Sequence, residues 1–399
     1  MQGILVRVIP LAALAAGLLA APAARAQQTV RLPEKDRALA LRAAPVYAVG
    51  RAEGNDWEMF TRVDRVAFDR ADNLYVLDGG AQRVLVFDRA GRFVRQVGKK
   101  GGGPGEFLAP MGMAVLADGT LAVSDLGHRS YSLFAADGRY LRSVPFADEW
   151  MPMTTALAAH PRGGVVGPVR PAPAMRITGG ASRSETLQST PILWHRLDEG
   201  AQPVRLFDAP QEWTMRQSGS GSSGGQQTVT MRMTGPPTFS PPLSWGVLGD
   251  GGMVVSHTPG YTLKVLDAGG RPVRYVQKPM RVRKVTAEDR ERERERRRQM
   301  FLTGEGMQVI TVGGPGRRGA GLSREMVEEQ VRGMEFADVI PAIQGLRVDG
   351  AGRIWVERTG ESWGEPGPID VVTAEGRYLG TVTGQALPDA FSASGRAAY

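Results

Sequence analysis

Five side chains have types and spacings that would suit the binding of a charged ligand. Four of them stand at equivalent points of an internal repeat, just past a strand-like segment, and the fifth, His128, follows Asp125 by three residues; they are Asp78, Asp125, His128, His257 and Arg358. Carboxylate and imidazole groups are ligands for a cation that assists hydrolysis or elimination. A guanidinium in the same group would oppose a cation and favour an anion. We therefore predict that these residues bind a ligand, and the sign of its charge stays open.

A structural role is the competing interpretation of Asp78 and Asp125, and it is the one we favour. Their carboxylates would accept hydrogen bonds from backbone amides or a neighbouring arginine and so hold the turn that follows the strand. His128 and His257 alone are a thin set of metal ligands, since the sequence has four histidines and no cysteine. We predict no catalytic residue, no resident metal and no cofactor.

Three glycine-rich segments resemble the loops of known sites, but none has the context that its chemistry requires. In segment 97–110, VGKKGGGPGEFLAP, no lysine followed by Ser or Thr comes after the last glycine, as a phosphate loop needs. Residues 314–319 have the spacing Gly-x-Gly-x-x-Gly, but outside the parallel β-α-β unit of a dinucleotide site. Segment 221–225, GSSGG, matches a nucleophile elbow around Ser223, within a linker-like stretch with no strand before it or helix after it. We predict that segment 97–110 connects two sheets, with Phe107 packed between them.

The elements that would position the five side chains come from an internal repeat of alternating apolar residues. Two blocks align without gaps over their central parts, and they read VAFDRADNLYVLDGGAQRVLVFDRAGRFVRQVG and AVLADGTLAVSDLGHRSYSLFAADGRYLRSV. Alternation with a period of two indicates strands. Weaker copies follow, and each copy has a glycine in the turn before its last strand: Gly91, Gly138, Gly200, Gly270 and Gly376. The pattern predicts five units of four short antiparallel strands.

The repeat length favours a β-propeller, since propeller blades contain roughly 40 to 50 residues. We predict an all-β, six-bladed β-propeller with four-stranded antiparallel blades, as a single domain over residues 27–399. Its first five blades would span residues 63–98, 110–145, 154–208, 243–277 and 343–383. The sixth blade would be split between residues 28–50 and 387–399, so that the first and last strands pair and close the ring. Because only one strand fits in the last residues, either this blade has three strands or the sequence is truncated.

The run GGGPGEFLAPMGMAVLADGTLAVSDLGHRSYSLFAADGRYL resembles the bacterial six-bladed β-propellers of the NHL-repeat type. The glycine-rich connector, the Asp-Gly turn, the strand-ending Asp and the Phe-x-x-x-Gly-Arg hairpin carry the resemblance. The Asp…Asn-x-Arg element of the family is incomplete: Ala81 replaces the Asn of the first unit, and His128 and Ser130 replace Asn and Arg in the second. The resemblance implies a scaffold and not a reaction, since propellers carry many unrelated functions.

Residues 284–335 interrupt the repeat with a charged helical insertion. The segment VTAEDRERERERRRQM has Thr286 and Asp289 at the spacing of a capping box, and opposite charges recur at i,i+3 along it. A second, amphipathic helix over 323–334 would pack against the first. Whether the pair covers one end of the propeller channel or contacts a partner stays open.

The composition indicates an exported protein. Arg7, an apolar run and the small residues that end at Ala26 predict a signal peptide over residues 1–26, with no stable membrane span after its cleavage. The formal net charge of +8 is modest, so nucleic acid is a poor candidate partner. We expect a periplasmic or secreted monomer.

We accordingly predict an exported, non-enzymatic β-propeller scaffold that binds a small molecule, a peptide or an envelope protein. The alternative is a propeller hydrolase or lyase assisted by a metal cation near Asp78, Asp125 and His257. A third class, a subunit of an envelope complex that docks through the arginine-rich helices, would associate in a salt-sensitive manner.

Overall fold

A computed structural model describes residues 27–41, 43–147, 150–152, 156–171, 183–220, 228–303 and 324–399. These residues form successive sheets, each built from one stretch of chain, except that the N-terminal strand joins a sheet formed much later in the sequence. The signal peptide expected over 1–26, the glycine spacing at 314–319 and the segment 221–225 lie outside the described residues.

The first two blades follow the predicted four-strand pattern. Strand β1 (Gln28–Arg31) and a 3₁₀ turn (Asp56–Glu58) precede them. The first blade contains β2 (Val63–Phe68), β3 (Leu74–Asp78), β4 (Arg83–Phe87) and β5 (Phe93–Val97). The second blade contains β6 (Pro110–Val115), β7 (Leu121–Asp125), β8 (Ser130–Phe134) and β9 (Tyr140–Pro145). The two middle strands of each blade are buried at every position, because neighbouring sheets cover both of their faces.

The third blade is larger than predicted. It contains β10 (Trp150–Pro152), β11 (Ala158–Ala159), β12 (Val165–Pro171), β13 (Arg183–His195), β14 (Val204–Ser220) and β15 (Thr228–Thr234). Strand β14 runs to Ser220, so the expectation that no strand precedes segment 221–225 is wrong. Strand β15 begins at Thr228, where a nucleophile elbow would require a helix.

The remaining chain forms two more blades, the insertion between them and a terminal hairpin. The fourth blade contains β16 (Ser244–Val247), β17 (Met253–Ser256), β18 (Thr262–Leu266) and β19 (Pro272–Gln277). The insertion contains β20 (Arg283–Lys284), α1 (Ala287–Thr303), α2 (Arg324–Arg332) and β21 (Val339–Ile340). The fifth blade contains β22 (Ile343–Val348), β23 (Ile354–Arg358), β24 (Ile369–Val372) and β25 (Tyr378–Val382). The hairpin consists of β26 (Ala390–Phe391) and β27 (Ala397–Ala398).

The helical insertion is confirmed, and its first helix starts with the predicted cap. The backbone N–H and the hydroxyl of Thr286 donate to Oδ2 of Asp289 at 2.9 and 2.7 Å, and the N–H of Asp289 donates to Oγ1 of Thr286 at 3.2 Å. Helix α2 buries Val327 and Val331 on one face. Among the described residues, neither helix is long and apolar enough to span a bilayer.

Apolar side chains between neighbouring blades join the sheets into a ring. Phe107 is fully buried between Val84 of the first blade and Met113 of the second. Similar clusters fill the next three junctions, from the second blade to the fifth. The first strands contact one another in the order β2, β6, β11, β16 and β22, and β2 also contacts β26. They surround a central axis, so the fold is a β-propeller. We call the space that they enclose the axial channel.

The connectivity places two kinds of loop on one face of the ring. Neighbouring strands of a blade are antiparallel, so the loop that enters the first strand and the loop that follows the second strand lie at the same end of the sheet. We call this end the entry face. The second strands reach it at Asp78, Asp125, Ser256 and Arg358. The insertion enters the fifth blade at this face, because it lies between β19 and β22.

The sixth position of the ring is occupied by a small hairpin. Strands β26 and β27 form a two-stranded sheet. Phe391 packs against Trp355 of the fifth blade, with ring centroids 5.0 Å apart, and Ala398 packs in an apolar cluster with the first blade. Tyr47 and Val49 add to the latter cluster, although residues 43–50 form no strand.

Residues 28–31, which were expected among the outer strands of the sixth blade, lie elsewhere. They form β1, which pairs in parallel with β19 at the outer edge of the fourth blade. The physical reason is the burial of Leu32, directly after β1, in the apolar cluster between the fourth and fifth blades.

Candidate ligand-binding face

The carboxylate of Asp125 joins the end of β7 to the loop that enters the second blade. Its Oδ2 accepts a hydrogen bond from the N–H of Leu108, and its Oδ1 accepts one from the N–H of Ala109, both at 2.9 Å. The N–H of Gly127 also donates to Oδ1, at 2.9 Å. Asp125 is fully buried, so these donors replace the water that an ionised carboxylate would otherwise need. Its first role is therefore structural.

The same carboxylate orients the ring of His128. Nδ1 of His128 lies 2.9 Å from Oδ2 of Asp125, and the side chain is 21% exposed. Because the carboxylate accepts a hydrogen bond, the proton of the neutral ring lies on Nδ1, and Nε2 is left as an acceptor. Nε2 is buried and has no partner among the described residues. The pair thus presents one oriented and unused acceptor near the entry face.

Asp78 has the corresponding structural role in the first blade. Its carboxylate accepts the N–H groups of Thr61 at 3.1 Å and Arg62 at 3.0 Å, which belong to the loop that enters β2. Nε of Arg83 donates to it at 3.3 Å. The guanidinium of Arg83 also donates to the backbone oxygens of Asp56 and Met59, at 2.8 and 2.9 Å. Asp78 is fully buried by these contacts.

His257 follows the second strand of the fourth blade and lies in an apolar setting. Its ring meets that of Phe207 edge-on, with centroids 5.2 Å apart. Burial, with a smaller contribution from the charge of Lys264, lowers the pKa of His257 to about 4, so the ring is neutral at neutral pH. Its Nδ1 is buried without a partner among the described residues.

Arg358 belongs to a group of four charges, three of them buried and Asp36 partly exposed, which we call the four-charge cluster: Asp36, Lys278, Arg358 and Asp370. Nη2 of Arg358 donates to Oδ2 of Asp36 at 2.6 Å, and Nε lies 3.6 Å from Asp370. Nζ of Lys278 lies 2.5 Å from Asp36 and 3.3 Å from Asp370. Two cations and two carboxylates balance, so Arg358 is engaged in an internal ion pair.

The sequence did not reveal the other members of this cluster. Asp370 lies inside β24 and Lys278 directly follows β19, where single charges carry no distinctive pattern. Asp36 reaches the cluster because β1 and Leu32 direct the N-terminal segment to the junction of the fourth and fifth blades. Only the tertiary structure establishes that path.

The five predicted residues share the entry face but do not converge. The structure brings Asp125 and His128 into contact. It places Asp78, His257 and Arg358 at equivalent strand ends of three other blades. In the part of the chain that the structure describes, no three His, Cys, Asp or Glu side chains are arranged to hold a metal ion.

The glycine-rich segment 97–110 folds around one of its own carboxylates. The N–H of Gly103 donates to Oε2 of Glu106 at 2.8 Å, and Nζ of Lys99 lies 3.3 Å from Oε1. These two donors lower the pKa of Glu106. The carboxylate occupies the place that a bound phosphate would take in a phosphate loop.

An outer cavity of about 440 Å³ lies between the second and third blades. Tyr131 and His195 contribute to its floor, with ring centroids 5.3 Å apart, and Arg142 and residues 196–203 form its rim. Burial lowers the pKa of His195 to about 4, and its Nε2 has no partner among the described residues. Sequence reasoning missed this cavity because its walls come from two different repeats.

Comparison with known families agrees with the architecture of part of the chain. Residues 53–149 match the family model DUF5128, which is described as a 6-bladed beta-propeller. This description agrees with the ring of sheets, in which five blades and a small terminal hairpin form a β-propeller. No curated protein sequence matches the chain.

Three solved structures illustrate the similarity. A Bacteroides fragilis protein named as exported is 12% identical, with a TM-score of 0.40, over 84% of this chain and 74% of the other. A catalytically inactive virginiamycin B lyase from Staphylococcus aureus, solved with quinupristin, is 9% identical, with a TM-score of 0.35, over 83% and 75%. A gluconolactonase from Xanthomonas campestris is 16% identical, with a TM-score of 0.29, over 56% and 78%.

Proposed function

We propose that this chain is an exported, non-enzymatic β-propeller of the NHL-repeat type that binds a small molecule, a peptide or a partner protein on its entry face. The observation that carries the proposal is the Asp125–His128 pair. Backbone donors and the His128 ring occupy the carboxylate, and Nε2 of His128 is left as an oriented acceptor. Such a group suits a ligand that donates a hydrogen bond.

The structural role of the acidic residues favours binding over metal-assisted chemistry. A general base or a metal ligand needs a free lone pair directed at the reacting atoms. The oxygens of Asp78 and Asp125 are instead directed at backbone amides of the entry loops. We therefore rank a hydrolase or lyase with a cation near Asp78, Asp125 and His257 second.

Export supports the same proposal. A signal peptide over residues 1–26 would direct the mature chain to the periplasm or out of the cell. There a monomeric propeller would meet soluble metabolites, peptides and envelope proteins. The helices α1 and α2 stand beside the entry face and would limit which ligands reach it.

The test is a ligand screen with the chain purified after export. Native mass spectrometry would detect a ligand that copurifies, and thermal-shift measurements with organic acids, sugars and short peptides would detect one that is added. We expect His128→Gln to remove the thermal shift and Arg139→Gln, on the opposite face of the same blade, to keep it. A shift that His128→Gln leaves intact would move the binding site elsewhere. A stoichiometric metal together with hydrolysis of an ester or lactone, both lost in Asp125→Asn, would replace this proposal with the enzyme.

A further inference from the structure

The outer cavity between the second and third blades has an aromatic floor. Tyr131 belongs to β8 and His195 ends β13, and their ring centroids are 5.3 Å apart. Phe146 meets the ring of Tyr131 edge-on, with centroids 4.9 Å apart. The cavity volume of about 440 Å³ lies within the range of roughly 300–1,000 Å³ that is usual for small-molecule sites. The two rings therefore form the base of a space that is large enough for a ligand.

Both floor residues have polar groups without a partner in the described part of the chain. His195 is only 8% exposed, and its Nε2 is buried with no hydrogen-bond partner among the described residues. Tyr131 is 1% exposed, and its hydroxyl likewise makes no hydrogen bond to the residues that the structure describes. Buried polar groups are paired in most proteins, because an unpaired group lowers the stability of the fold. A ligand that forms hydrogen bonds with these two groups would remove that cost.

The floor carries no charge at neutral pH. Burial lowers the pKa of His195 to about 4 and raises the pKa of Tyr131, so the imidazole and the phenol are both neutral. A neutral imidazole has one donor and one acceptor nitrogen, and a phenol donates and accepts through one oxygen. An ionised ligand group would lose its hydration at this floor without gaining an opposite charge. The floor thus favours an uncharged group that both donates and accepts hydrogen bonds, such as an amide or a hydroxyl.

The walls of the cavity come from both blades and are joined to each other. Nη2 of Arg142, in β9, donates to the backbone oxygen of Leu197 at 2.6 Å and so ties the second blade to the loop 196–203 of the third. Leu197 is buried in the same apolar cluster as Tyr131, although its φ of +63° is unfavourable for a leucine. Apolar residues contribute to the remaining lining: Val144, Pro145, Ala147, Ala201 and Pro203. These walls suit the apolar body of a ligand.

We propose that this cavity is a second binding site, for a small uncharged molecule with an apolar or aromatic body and an amide or hydroxyl group. The polar group would lie on the floor and form hydrogen bonds with Tyr131 and His195, and the body would lie against the apolar walls. The site is formed by β8, β9 and the loop between β13 and β14, whereas His128 follows β7 at the entry face. It therefore stands or fails independently of the proposed function.

The test uses benzamide as the probe, with toluene and benzoate as molecules of similar size that lack the neutral polar group. Isothermal titration and thermal shift would be measured on the wild type, Tyr131→Phe, His195→Gln and the control Tyr75→Phe, whose buried ring lies between the first and second blades. We expect saturable binding of benzamide, weaker binding of toluene and none of benzoate. Tyr131→Phe and His195→Gln should each weaken benzamide binding about two- to tenfold, as expected for the loss of one neutral hydrogen bond, and Tyr75→Phe should not change it.

Absence of saturable benzamide binding would overturn the proposal and leave water as the partner of the two polar groups. Equal affinities of the wild type, Tyr131→Phe and His195→Gln would also overturn it, as would a loss of binding in His128→Gln, which would place benzamide at the entry face. Should a floor variant not fold, Ala201→Leu at the rim gives a second test, because its larger side chain would fill part of the opening. It should keep the Tm of the wild type and bind benzamide more weakly by about tenfold or more, and unchanged affinity would count against the site.

Discussion

Asp36 and Arg358 are 322 residues apart in the sequence, and Oδ2 of Asp36 accepts a hydrogen bond from Nη2 of Arg358 at 2.6 Å. The same carboxylate lies 2.5 Å from Nζ of Lys278, whose side chain is fully buried. One residue of the N-terminal segment therefore binds side chains from the fourth and fifth blades. Because β1 also adds to the fourth blade, this segment fastens two neighbouring blades together.

We expect Asp36→Asn to destabilise the fold by about 1–3 kcal/mol, because it leaves Asp370 to compensate two buried cations. The value is below that of a fully buried pair, since Asp36 is 42% exposed. Urea unfolding would measure it. Asp88→Asn is the matched control, because its partner Arg92 is 81% exposed, and we expect a smaller loss than for Asp36→Asn. Equal losses in the two variants would contradict the assigned role.

His195 should make the stability fall in mildly acidic solution. Its pKa is about 4 in the folded chain because of burial, against about 6.5 when it is unfolded. Above pH 6.5 both states are neutral, and between pH 6.5 and 4 only the unfolded state takes up the proton. The native state then loses up to about 3 kcal/mol. His195→Gln should flatten this part of the pH profile relative to Arg196→Gln, and an unchanged slope would show that His195 titrates normally.

Asp125→Ala should cost about 3–5 kcal/mol, because it leaves the N–H groups of Leu108, Ala109 and Gly127 without their acceptor. Asp125→Asn keeps one acceptor oxygen and should cost less. A chelator should not change the Tm of the wild type, since backbone amides occupy the carboxylate. A chelator-induced fall in Tm that is absent from Asp125→Asn would instead reveal a cation at this position.

Two glycines of segment 97–110 offer a direct comparison. Gly98 has a φ of +70°, and a Cβ there would lie 2.2 Å from the ring of the buried Phe107, whereas a Cβ at Gly102 would meet nothing within 4 Å. We expect Gly98→Ala to lower the free energy of unfolding by more than about 2 kcal/mol and Gly102→Ala to change it by less than about 0.5 kcal/mol. Thermal unfolding of both variants would check this. Similar Tm values would show that the loop or the Phe107 ring shifts to accommodate the added Cβ at Gly98 without loss of stability.

The sequence predicted those parts of the fold that depend on local pattern. Strands β2 to β9 follow from alternating apolar residues and from turns such as the one at Gly91, because both signals lie within a few residues of each strand. The places of Asp78 and Asp125 at strand ends follow from the same repeat. Their hydrogen bonds with the entry loops match the structural interpretation that was favoured for them.

Features that depend on how the ring closes were not predictable. The far end of the hairpin formed by β13 and β14 has a polar sequence that resembles a linker. Its strands are held by cross-strand pairing and show no alternating apolar residues there, so the sequence did not predict them. The pairing of β1 with β19 and the hydrogen bond of Arg358 to Asp36 join residues hundreds of positions apart. No sequence motif indicates such contacts, because neither of the two contacting segments has a distinctive pattern of its own.

The terminal hairpin sets where the ring is mechanically weakest. Among the described residues, it is held to the first blade by side-chain contacts, such as those of Ser394 and Arg396 with Asp72, and to the fifth blade by the packing of Phe391 on Trp355. Its backbone-to-backbone hydrogen bonds lie within the hairpin itself. We therefore expect a force applied at the C-terminus to detach the hairpin before any blade loses a strand, so that the ring opens between the fifth and first blades.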